Sequence, residues 1–187
     1  ELFSSYNFVI GLTLVVMMGI FSVISATMSS KFIVDEYRGK KAILLFSYPI
    51  SRKKIMETKI LLVFLFTFGS MLISGAIVLA VFMITESLVP IGNDIASLGL
   101  MLTSIIYLVC YALIAAFCGI ASSWIGFRKQ SVIATIVASC IIMVTMCQIV
   151  AMTFFSGVAM ILLLAGMGII TFLAVESMLS QARKMEI

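Results

Sequence analysis

Apolar residues run along this chain in four stretches without charge, residues 2–30, 60–85, 95–127 and 130–175. A helix that crosses the hydrocarbon core of a membrane needs about 20 such residues, so the first three stretches each predict one span. The fourth, 46 residues long, is read as two. The expected spans are 7–30, 60–84, 97–122, 131–152 and 156–178. Together they describe an all-α polytopic membrane protein with five transmembrane helices in a single domain, residues 1–187.

Composition agrees with that reading and excludes a soluble domain. The chain is 63% hydrophobic and 11% charged, with a mean hydropathy of +1.28, whereas soluble domains are about 45–50% apolar and about 25% charged.

Charge is gathered in one place. Residues 31–59, KFIVDEYRGKKAILLFSYPISRKKIMETK, hold eight of the twelve Lys and Arg. Such a segment is long for a helix connection, which commonly takes about 2–8 residues. Its first half, Asp35 to Phe46, mixes charge with apolar residues in the manner of a short helix at a membrane surface. Tyr48-Pro49 breaks that helix, because proline lacks an N–H and restricts the residue before it. Ser51 then caps a second helix that runs through Arg52 into the next span.

Basic residues in short flanking loops stay on the cytoplasmic side. With 31–59 inside, Arg128, Lys129, Arg183 and Lys184 fall inside as well, and the loop from Thr85 to Ala96, which carries Glu86 and Asp94, lies outside. This places the protein in the plasma membrane with its C-terminus cytoplasmic and Glu1 outside. One more N-terminal span is expected, six in the full chain. Ile125 to Gln130 reads as a tight positive turn.

Within the spans, Ser22, Ser25 and Ser29 recur at helical spacing, and Ala115, Gly119 and Ser123 recur every four residues. Small residues let membrane helices approach closely, so these are first read as packing faces. Gln148 is the most polar side chain inside a span, and an unbonded amide in hydrocarbon is costly. It is read first as a bond between helices. A substrate-lining role for Ser22, Ser25, Ser29 and Gln148 is the minority reading. Cys110, Cys118, Cys140 and Cys147 lack metal-ligand spacing, and the chain has no His and no phosphate-binding G-x-x-x-x-G-K-[ST] loop. Energy for any transport must therefore come from elsewhere than a phosphate loop in this chain.

Glu36-Tyr37-Arg38-Gly39, an apolar turn, then Tyr48-Pro49-Ile50-Ser51-Arg52 followed by Lys59 resembles the segment between the second and third helices of ABC-2 type transporter permeases. Lys40 stands where that family often has Thr. The motif covers residues 36–59, and the span pattern extends the likeness to the whole chain. The resemblance implies that this segment is a coupling helix resting on a separate ATP-binding subunit, with Glu36, Arg38, Gly39, Ile43, Leu44, Tyr48, Pro49, Ile50, Ser51 and Arg52 as coupling residues. It implies two permease subunits, identical or homologous, above two ATPases. ATP and Mg belong to the ATPases, and this chain binds no cofactor and is not itself an enzyme. A hydrophobic or amphipathic substrate, such as a peptide, lipid or drug, would move outward, and no nucleic acid is involved. Two other readings of the residues stay open: a membrane scaffold or sensor whose basic loop binds anionic lipid, and a small secondary carrier.

Overall fold

The computed structural model describes residues 6–36, 52–88, 98–153 and 157–184. Arg38, Gly39, Ile43, Leu44, Tyr48, Pro49, Ile50 and Ser51 lie outside these residues, as does most of the expected exterior loop. The described residues form α1 (Tyr6–Ser29), a π-helical turn (Ser30–Asp35), α2 (Arg52–Leu88), α3 (Leu98–Lys129), α4 (Val132–Thr153) and α5 (Gly157–Lys184). All five α-helices contain stretches long and apolar enough to cross a membrane, as the uninterrupted apolar runs require. The protein is an all-α polytopic membrane protein.

Two helices are much longer than a bilayer demands. At about 1.5 Å per residue, the 37 residues of α2 reach about 55 Å against a hydrocarbon core of about 30 Å. The surplus at its start carries Arg52, Lys53, Lys54, Glu57 and Lys59, so this end projects beyond the hydrocarbon. At its other end α2 takes in Thr85 and Glu86, a correction to the exterior loop expected from Thr85 to Ala96. Glu86 is buried there. The helix continues because Val81 to Leu88 contains no Gly or Pro to stop it.

Helix α3 is the hub. About 61% of its apolar stretch is buried, against 11% for α4 and 22% for α5, and it packs on each of the other four. One core joins Ile10, Leu14 and Met18 of α1 to Tyr111, Ile114 and Cys118 of α3. A second core lies at the charged end, where Ile33 and Val34 of the π turn meet Met56 and Ile60 of α2, Phe127 of α3 and Met178 of α5.

The expected turn at 125–130 is helical up to Lys129, a correction with a clear cause. Gly126 serves contact with the next helix, since a Cβ there would sit 1.7 Å from the Thr135 hydroxyl oxygen. Gln130 makes the reversal instead, with φ 48°. The Gln130 N–H donates to the Phe127 carbonyl at 3.2 Å and the Ser131 N–H to the Gly126 carbonyl at 3.1 Å, the paired bonds of a Schellman helix end. The Ser131 hydroxyl oxygen then accepts the Ala134 N–H at 3.4 Å, beginning α4.

Candidate functional site

The charged segment leaves the membrane domain at Glu36 and returns at Arg52, and its two roots are built in different ways. At the exit, buried residues come in pairs four apart: Ser25 and Ala26, Ser29 and Ser30, Ile33 and Val34. An ordinary α-helix turns about 100° per residue, so such pairs drift about 40° with each step of four. Widening the last turn to the i→i+5 pattern reduces the drift and keeps Ile33 and Val34 on the core. Local hydroxyls favour the change. Thr27, Ser29 and Ser30 donate to the carbonyls of Ile24, Ala26 and Thr27 at 2.8, 3.0 and 2.8 Å, and such back-bonding competes with the regular helical ladder. π-turns are uncommon and concentrate at functional sites.

The two roots are also joined to each other. The Lys59 ammonium donates to the Glu36 carboxylate across 23 positions of sequence. Side-chain exposures of 20% and 38% place the pair in partial contact with solvent, so its contribution to stability is at most about 1 kcal/mol. Its importance is geometric, because it holds the exit and the return of the segment together. Lys53 and Glu57 form a second, exposed pair one helical turn apart at 3.5 Å. On α3 the Arg128 guanidinium lies 5.9 Å from the Trp124 ring centre, an aromatic–cation contact suited to a membrane boundary.

Of the sequence-assigned coupling residues, the structure thus describes Glu36 with its partner, and Arg52 as the first residue of α2. Lys59 was noted in the sequence as the last residue of the motif, and its pairing with Glu36 needed the fold to become visible.

The intramembrane candidates separate into two groups. Ser22, Ser25 and Ser29 are all buried and belong to the contact of α1 with α3, where a Cβ on Gly119 would lie 2.0 Å from the Ser25 hydroxyl oxygen. The Ser22 hydroxyl lies against the Cys118 thiol of α3, the Ser25 hydroxyl has no hydrogen-bond partner among the described residues, and Ser29 bonds its own helix. The packing reading fits all three. Gln148 instead lies exposed on α4, away from the other described helices.

Clefts open along the apolar surface of the described residues, two of them against helices α1 to α4. One, of about 330 Å³, lies between α2 and α3 and is lined by residues including Leu72, Ala76, Phe82, Ile105 and Leu108. Another, of about 520 Å³, lies between α1 and α4 beside Gly19, Ile20, Val23, Met143 and Cys147. None of the four polar candidates lines either cleft. The alanines and glycines that open them were visible in the sequence only as small residues. Among the described residues no three His, Cys, Asp or Glu side chains gather as a metal site.

No protein-family model matches the chain, and no solved structure matches it. The uncharacterized protein YcbO of Bacillus subtilis (strain 168) is 28% identical over 123 residues, which is 66% of this chain and 54% of that protein. The chain thus spans about half the length of that curated relative.

Proposed function

We propose that this chain is the transmembrane permease subunit of an ATP-driven ABC-2 type exporter. It moves a hydrophobic or amphipathic substrate out of the cell, and a separate ATP-binding subunit docked on residues 31–59 supplies the energy. The observation that carries this reading is the Glu36–Lys59 pair at the root of the motif-bearing segment. The pair joins the two ends through which a push on the segment would enter the bundle. The core behind it joins the π turn to α2, α3 and α5, so movement of the segment would reach most of the bundle. The clefts, with almost entirely apolar linings, suit a substrate that partitions into lipid.

The experiment that tests this reading is purification of the tagged chain from its native membranes, with the copurifying proteins assayed for a subunit that binds ATP. Stable copurification is expected. Recovery of the chain without any nucleotide-binding protein contradicts the proposal and returns the scaffold and carrier readings.

Orientation has its own expected result. In the plasma membrane of intact cells, with the four native cysteines replaced, Asn93→Cys should react with an impermeant thiol reagent. Lys53→Cys should react only after the membrane is opened, because the basic residues stay inside. Labelling of Lys53→Cys on intact cells overturns the topology.

A further inference from the structure

The cleft between α2 and α3 lies toward the last turns of α2 and the first turns of α3, at the opposite ends of both helices from Arg52 and Arg128. Its walls include Phe82 and Met83 of α2 and Met101 and Ile105 of α3. Glu86 stands one helical turn beyond Phe82 and Met83, and residues three and four apart share a helix face, so Glu86 falls at the mouth of the cleft. The acid is turned inward. Glu86 is 8% exposed, while its neighbours Ile84 and Leu88 are 60% and 76% exposed, the reverse of the order that hydrophobicity alone favours.

This mouth is negative for more than one reason. The last turn of α2 carries no basic residue, so the partial negative charge of the final helical carbonyls adds to the Glu86 carboxylate and is not offset. Residues 60–127 contain no Lys or Arg at all. Glu86 is engaged by a neighbour, yet the two oxygens of a carboxylate accept from several donors at once. Phe82 adds an aromatic ring, whose face attracts a cation. Below the mouth the cleft is almost wholly apolar, with about 330 Å³ of space beside Leu72, Ala76 and Leu79.

We propose that the α2–α3 cleft binds a cationic amphiphile, with one apolar chain along Leu72, Ala76 and Leu79 and an amine or quaternary ammonium head at Glu86 and Phe82. Charge selects this occupant over two others that would fill the apolar part as well. A phospholipid would bring its phosphate against Glu86, a like-charge contact that opposes binding. A further apolar helix laid over the cleft would seal the carboxylate against hydrocarbon. A cation with an apolar tail satisfies both parts of the site. The inference names a substrate class for the exporter proposed above and rests on that reading for transport, whereas the binding itself needs no ATPase.

Photolabelling of the full-length protein in phosphatidylcholine vesicles, without an ATP-binding subunit, tests it. Two probes share the same alkyl chain with a diazirine at its tip, and end in trimethylammonium or in sulfate. The ammonium probe should mark Leu72, Ala76 and Ile105, and Glu86→Gln should lower that labelling about ten-fold. The sulfate probe should label the parent less, and its labelling should rise in Glu86→Gln, which shows in the same sample that the variant keeps its cleft. Ala76→Phe fills the cleft and should abolish ammonium labelling, while Ile73→Phe on the exposed face of α2 should leave it unchanged. Equal labelling by the two probes, ammonium labelling that Glu86→Gln leaves intact, or a cleft that neither probe reaches because lipid or another helix covers it each overturn the proposal. Headgroup-indifferent labelling in a protein that copurifies with an ATPase sinks this inference alone. Ammonium-selective labelling in a protein that copurifies with none upholds the site and sinks only the exporter reading.

Discussion

Gly119→Ala is expected to destabilise the purified protein markedly, while Gly69→Ala leaves it unchanged or slightly improved. A Cβ on Gly119 would lie 2.0 Å from the Ser25 hydroxyl oxygen and 2.4 Å from the Ser25 Cβ. Rotating the serine moves the oxygen away, but it cannot move the Cβ. Helices α1 and α3 must therefore part, along a contact that includes Ser22, Ser25, Ala112, Ala115 and Ala116, all buried. Overpacking of this kind costs about 1–3 kcal/mol, and for a chain of this size each kcal/mol lowers the thermal midpoint by about 2–4 °C. Nothing lies within 4 Å of a Cβ on Gly69, so alanine there acts only through its better helix propensity. Gly75 is the intermediate case, because the atoms in its way belong to the movable tip of Leu108. Ser25→Gly combined with Gly119→Ala removes both offending atoms and should recover the parent midpoint, whereas Ser25→Ala removes only the oxygen and should recover part of it. Thermal unfolding in detergent measures the whole series.

Leu44→Asp and Ile50→Asp are expected to release the ATP-binding subunit on purification. On the proposed reading Ile43, Leu44 and Ile50 fill a groove on that subunit, and Arg38 and Arg52 pair at its rim. Losing a buried anchor at an interface costs about 2 kcal/mol or more, while rim charges contribute less and act mainly on association rate. Arg38→Ala and Arg52→Ala should therefore leave the complex intact at moderate salt. On the same reading Pro49→Ala should keep the complex and lower the amount of substrate moved per ATP, since the sequence expects proline to break the segment there. If lipid charge held the segment instead, Arg38, Lys40, Lys41 and Arg52 would matter together, and binding would follow ionic strength. A pull-down at several salt concentrations separates these outcomes.

The helices were legible because a membrane span is announced by a run of about 20 apolar residues, whatever its detailed period. What surrounds them was legible only in part. The first span reads as ending at 30, with Asp35 opening a surface helix, yet the paired burial at Ser25 and Ala26, Ser29 and Ser30, and Ile33 and Val34 carries the helical chain on to Asp35 as a π turn. A step of four was present in the sequence, but only a neighbouring core gives it a direction. Gly126 looked like a turn former and is instead a close contact with Thr135, while the reversal falls on Gln130. Glu86 looked like loop and is buried at the end of α2, because a charge near a boundary does not by itself stop a helix. Ser22, Ser25 and Ser29 could be placed on one helical face from their spacing. Whether that face met a cavity or another helix depended on Gly119, more than 90 residues away. The polarity of Gln148 was plain from the start, and its outward direction came from the packing of α4 on α1 and α3.

The central claim is that this chain takes its energy from a separate ATPase through residues 31–59. ATP hydrolysis by the ATP-binding protein, measured in lipid vesicles with and without this chain, tests it most directly. The expected result is faster hydrolysis when the parent chain is present, with the stimulation lost in Leu44→Asp vesicles that hold an equal amount of folded protein. Equal hydrolysis with the parent, with Leu44→Asp and with empty vesicles would contradict it.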